Sequence, residues 1–190
     1  MFANLGPLHA IAARQGDGLR PELARLLEGN ANALPTPGEI KMSREQENKG
    51  LVGRWFEGFW GNPWNPQIID ELAAPDILLQ YSLHAPRRGR QDVRNFMLDF
   101  RAAFPDLKFW GAADLIAEGD YVVGRWEGGG THTGPAFSDF LAGALPAASG
   151  RKMHFTGTTV LRVASGMIAE EVGLDDGVAA LTQLGILKAA

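Results

Sequence analysis

The second half of the chain is written with a period of two, and this restricts its fold most. LKFWGAADLIAEGD, DYVVGRWEGGGTHTG, RKMHFTGTTVLRVASG and MIAEEVGL are four strand-like stretches. Alternation of this kind marks half-buried strands. Glu118-Gly119-Asp120 and Ala164-Ser165-Gly166 are tight hairpin turns between them. PAFSDFLAGALPAASG, over 135–150, is a longer connection. The first half is helical instead. Helices early and strands late argue an α+β fold, with helices laid on one face of an antiparallel sheet. Gly111, Gly124 and Gly157 interrupt the strands and let the sheet curl. A strongly curved sheet with an aromatic helix across its mouth encloses a cone-shaped pocket.

Ser43-Arg-Glu-Gln46 is a capping-box pattern that opens the first helix of this domain. Leu51, Trp55 and Phe59 follow at i, i+4 and i+8, with Val52 and Phe56 beside them. Asn65-Pro66 starts a shorter helix through Leu72, which Pro75 ends. ILLQYSL (77–83) reads as a strand and RQDVRNFMLDFRAAF (90–104) as a helix with Val93, Phe96, Met97, Phe100 and Phe104 on one side. DDGVAALTQLG (175–185) is a final short helix. Residues 1–42 form an extension, with a leucine-faced helix at 20–30 and a Pro/Gly linker at 33–40; the cone domain spans 43–190.

Composition excludes several classes. The 190 residues carry a net charge of −4 and no basic stripe, so nucleic acid has no electrostatic footprint to bind. There are no cysteines, which removes disulfides, thiolate zinc sites and cysteine nucleophiles. No apolar run approaches the ~20 residues of a membrane span, and the N-terminus lacks the pattern of a signal peptide. We expect a soluble, cytoplasmic protein that binds neither nucleic acid nor membrane. Gly128–Gly130 is not a phosphate loop, because no Lys-Ser/Thr helix follows it.

AAFPDL (102–107), LIAEGDYVVGRWEGGGTHTG (115–134), SGRKMHFTGTTVLRV (149–163), SGMIAEE (165–171) and QLG (183–185) occur in order and at characteristic spacing. In these motifs the sequence resembles the SnoaL-like polyketide cyclase family, part of the nuclear transport factor 2-like superfamily, over about residues 43–188. The resemblance implies a cystatin-like α+β barrel with a deep pocket, commonly a homodimer through the open sheet face, and no cofactor or metal. It also implies general acid–base chemistry by an aspartate near the end of the last strand and a histidine on a neighbouring strand. An ungapped register places these roles on Gly173 and Thr159, which cannot perform them; a small slip brings Asp175 or Asp176 to the same level. The connection at 135–150 is longer than the family's usual turn and is expected to line or cover the pocket mouth. The tryptophan that relatives often carry on the last strand is replaced by Val172, after Glu170.

Two readings stand beside each candidate. Asp175 and Asp176 precede Gly-Val-Ala-Ala-Leu, where an aspartate is a natural helix cap; pointed into an apolar cone, either becomes a usable acid/base. His132 follows three glycines that can bend a strand and re-aim a side chain, or it ties down a turn. His154 sits on the next strand and could lie near His132; a metal site is disfavoured by the spacing. His84 is placed at the pocket rim or in solvent. Trp55, Phe59 and Trp126 are candidates for the ligand wall as well as for the core. Arg125 is a buried ion-pair partner or a surface charge. The catalytic assignment is therefore Asp176, Asp175 and His132, with Trp55, Phe59, Trp126, His154 and Arg125 binding a small hydrophobic, oxygenated ligand. The expected activity is a cofactor-free cyclisation or isomerisation, and the alternatives are a non-catalytic ligand-binding module or an assembly role for the extension.

Overall fold

Residues 42–188 are described by the structure, a computed structural model. The expected helix at 20–30 and linker at 33–40 lie outside the described residues. Helix α1 (Arg44–Trp55) starts where expected, with the Ser43 side chain accepting from the Gln46 amide at 3.3 Å. It runs straight into a π-helical turn, Phe56–Trp60. The wider turn matters because residues five apart come closer to alignment than in an α-helix. It lets Trp55 and Trp60 send their indole N–H groups to the same acceptor, as described below. The carbonyls left free at its end are capped from another element. Arg101 donates to the carbonyls of Phe59 (2.9 Å), Gly61 (2.8 Å) and Leu107 (3.0 Å). Burial lowers the Arg101 pKa to about 10, so it remains a cation at neutral pH and complements a helix C-terminus.

Helix α2 (Ile68–Leu72) leads into strand β1 (Ala73–Tyr81). Pro75, expected to end the helix, instead lies within the strand. A two-residue strand β2 (Arg87–Arg88) pairs back on β1, and helix α3 (Arg90–Ala103) follows. Val93, Phe96, Met97 and Phe100 are buried on one side of α3, as the periodicity requires. The expected single strand over 108–118 is two: β3 (Lys108–Gly111) and β4 (Ile116–Glu118), both antiparallel to β5 (Tyr121–Thr131). The residues between them, Ala-Ala-Asp-Leu, carry no ladder. Strands β6 (Lys152–Ala164) and β7 (Met167–Asp175) complete the sheet, and helix α4 (Gly177–Gln183) closes the described fold. The sheet order is β2-β1-β7-β6-β5-β3, with β4 also on β5. All pairings are antiparallel except β1–β7, which is parallel. The result is an α+β fold in which a curved sheet holds the helices on its inner face.

The glycines at 128–130 are explained by close backbone approach. A Cβ on Gly128 would stand 2.2 Å from the Lys108 carbonyl oxygen, and one on Gly129 would stand 1.9 Å from that of Met153. Strand β5 is squeezed there between its two neighbours, and only glycine fits.

A bulge decides what β7 presents inward. Val163 pairs with Ile168 but Arg162 pairs with Glu170, which leaves Ala169 unopposed. One extra residue reverses the alternation. Ile168, Glu171 and Gly173 are buried, whereas Val172 and Leu174 face out. The outer face therefore exposes Val160, Val172 and Leu174.

Candidate active site

Between the helices and the inner face of the sheet lies an elongated hollow walled by aromatic rings, among them Phe56, Trp60, Phe96, Phe109, Trp126 and Phe155. About 530 Å³ of space lies between these walls, part of it open to solvent. The hollow is thus a slot lined mainly by aromatic faces. Four polar side chains reach it: Tyr81, His84, Arg87 and Asp175.

Its floor is a closed polar network. The Glu171 side chain is fully buried, and three donors converge on its carboxylate: Trp55 Nε1 at 2.7 Å, Trp60 Nε1 at 2.8 Å and the Tyr81 hydroxyl at 2.6 Å. The Trp126 indole donates to Thr159 Oγ1 at 2.7 Å, and Thr159 lies 2.9 Å from the Tyr81 hydroxyl. Burial raises the Glu171 carboxyl above the ordinary range, and the three donors offset part of that rise. Burial, together with the neighbouring Glu171, also pushes the Tyr81 phenol well above its usual value. Every polar atom of Glu171 is occupied by protein, so the network holds Trp60 and Tyr81 in the cavity wall.

The mouth is different. Asp175 ends β7 on the inward phase set by the bulge and lines the hollow. Its carboxylate accepts from the Ser82 hydroxyl. Burial raises its pKa, against the hydrogen bond from Ser82 and the proximity of His84. His84, also on the hollow and buried, has Nδ1 2.9 Å from Asp139 Oδ2. The Arg87 guanidinium takes the other oxygen of Asp139. Among the described residues no three His, Asp or Glu side chains gather to ligate a metal ion.

Comparison with known proteins fits this architecture. The sequence profile of the SnoaL-like polyketide cyclases matches residues 50–184. The chain belongs to that family. No curated protein matches it by sequence. Solved structures do. A protein of Jannaschia sp. CCS1 described as SnoaL-like polyketide cyclase is 24% identical, with a TM-score of 0.63 over 77% of this chain and 97% of that one. TsrD of Streptomyces laurentii is 23% identical, with a TM-score of 0.60 over 77% and 100%. A protein of Catenulispora acidiphila with a ketosteroid isomerase-like fold, solved with trimethylamine, is 18% identical, with a TM-score of 0.55 over 71% and 92%. These likenesses show the shared fold. Among the described residues no helix is long and apolar enough to cross a membrane.

Thr159 and Gly173, the two positions that the ungapped register assigns to a histidine and an acid, are direct cross-strand partners. Tyr81 takes up the room: a Cβ on Gly173 would stand 2.1 Å from Tyr81 Cε1. The aromatic ring fills the space that an acid at 173 would need.

The remaining sequence candidates separate cleanly. Asp176 is exposed and does not line the hollow; its carboxylate caps α4 by accepting from the Ala179 amide at 3.1 Å. This is the capping reading of the aspartate pair. His132 is fully buried and also lies off the hollow. Its Nε2 is 2.8 Å from the Pro135 carbonyl and its Nδ1 is 2.9 Å from Ser149 Oγ, so both nitrogens tie the two ends of the 135–150 connection together. His154 is exposed on the outer face near Trp110, at 5.8 Å between rings, and the inward-facing site does not include it. Arg125 is exposed as well. Trp55 and Phe59 are fully buried and stack at 4.3 Å behind the wall, whereas Trp126 lines it. Sequence reasoning missed Glu171, Tyr81 and Asp139. An acid immediately after Glu170 on a strand was a signal for Glu171, but plain alternation turns it outward.

Proposed function

We propose that the protein is a cofactor-free acid–base catalyst, and that Asp175 exchanges protons with a hydrophobic, oxygenated substrate. The reaction class is aldol-type cyclisation of a polyketide-like chain or a related isomerisation. One observation carries this reading: a carboxyl group with a raised pKa, held by a single serine, opens onto an aromatic slot. A carboxyl in such a place holds its proton more firmly than a free one and can give or take a proton in turn. Membership of the SnoaL-like family supports the class.

A second reading is a ligand-binding module without turnover. It is favoured by the ungapped register, which leaves Gly173 and Thr159 where an acid and a histidine would stand. The two separate in one experiment. Activated-methylene diketones and β-keto esters are incubated with the full chain in D₂O, and exchange at the methylene is followed by NMR. Exchange well above the buffer rate is expected, and Asp175→Asn should lower it by roughly 10²-fold or more while the far-UV circular dichroism is unchanged. Saturable binding with no exchange by the wild-type protein would favour the module.

A further inference from the structure

The 135–150 connection is stitched to the end of β1. Leu141 donates its amide to the Leu83 carbonyl at 3.0 Å, and Phe140 bridges to His84. Phe137 and Leu145 pair with each other through both backbone hydrogen bonds, at 3.0 and 2.8 Å, and are buried with Phe140. This packing delivers Asp139, the residue before Phe140, onto the His84 ring. Burial alone would raise the Asp139 carboxyl, but hydrogen bonds from His84 and Arg87 hold it below its ordinary value, so it is ionised.

An ionised carboxylate only accepts hydrogen bonds. In its neutral form the His84 ring must therefore carry its proton on Nδ1, which leaves a lone pair on Nε2. The ring cannot swing freely, because Phe96, Phe100 and Phe140 surround it at 4.9, 5.2 and 5.1 Å. Among the described residues nothing hydrogen-bonds Nε2, and His84 shares the slot with Asp175. The charged groups around the ring are Asp139 from the connection, Arg87 from β2 and Asp175 from β7.

We infer that His84 is a second catalytic residue, the proton acceptor at Nε2, and that Asp139 is its positioning residue, supplied by the chain's own long connection. The inference rests on the acid–base reading above and assigns the direction of proton flow. The C–H bond of the activated methylene breaks, and its proton goes to His84 Nε2. Asp175, in its carboxylic acid form, gives its proton to the carbonyl oxygen as the enol forms. The enol carbon then bonds to a second carbonyl, whose oxygen takes the proton back from His84. The enol hydroxyl returns its proton to Asp175. One C–C bond forms, and no electron or proton is gained or lost.

Two readouts on the full chain test this. In ¹⁵N-histidine-labelled protein, neutral His84 should show the Nδ1–H form, and Asp139→Ala should abolish that preference; Asp139→Asn, of equal size, checks that the fold survives. In the methylene-exchange assay, His84→Gln should lower kcat by roughly 10²-fold with KM within about threefold. Imidazole added to His84→Ala should restore part of the rate. An Nε2–H form in the wild-type protein overturns the inference. So does a His84→Gln variant that exchanges at the wild-type rate while Asp175→Asn does not, and that result leaves the acid–base reading standing. Absence of exchange in the wild-type protein removes that reading first, and this inference with it.

Discussion

The two ends of the hollow use the same kinds of residue for opposite purposes. At the floor, Glu171 has three protein donors and no accessible atom. At the mouth, Asp175 has one side-chain donor and His84 has one bonded nitrogen. Both carboxyls are raised by burial. A perturbed pKa therefore does not identify the chemistry by itself. The open valence does: a saturated carboxylate positions rings, and an unsaturated one can meet a ligand.

The contrast can be broken at the floor first. Glu171→Ala leaves two indole N–H groups and a phenol without their shared acceptor. At ~1–3 kcal/mol for each buried unsatisfied group, we expect a loss of about 4 kcal/mol or more, read from the urea unfolding midpoint. No substitution at Asp175 should approach this. A smaller break is Gly173→Ala, whose methyl group must expel the Tyr81 ring. The expected cost is about 1–3 kcal/mol, and it should nearly vanish in a Tyr81→Ala background, where the room is free.

The smallest effect sharpens the contrast by pH. Because Asp175 has a raised pKa, the folded protein holds its proton to higher pH than the unfolded chain does. The stability this contributes is complete below the unfolded value, roughly pH 4, and is lost as pH rises through the elevated folded value. Asp175→Asn has no such loss. The Tm of the variant relative to wild type should therefore climb as pH rises from about 4 through the elevated folded value of Asp175. The Glu171 contribution runs the same way in both proteins and cancels. A flat difference would mean that Asp175 titrates alike in both states.

Much of the architecture was legible because its signals are local. The α3 stripe, the Ser43 cap and the hairpins at Gly119 and Gly166 depend on neighbours a few residues away. The site was less legible because it depends on parity and on distant pairing. An unopposed Ala169 reverses the inward face of β7, so reading by alternation puts Val172 inside and Glu171 outside. Between Asp175 and Asp176 the sequence offers both a cap and an acid, and only strand phase tells which is which. His84 and Asp139 are separated by 55 positions and meet through a connection with no periodicity to read. His132 stood out in its glycine-rich setting, yet both its nitrogens serve the backbone and a serine.

That histidine has a consequence for how this molecule can change. Because one imidazole knots the entry and exit of the 135–150 segment, the end of the ladder between β5 and β6 is tied off apart from the residues around Asp139, while Phe137, Phe140 and Leu145 anchor the segment in the core. Reactivity in such a scaffold is open to retuning at the position before Phe140, provided the three buried anchors stay.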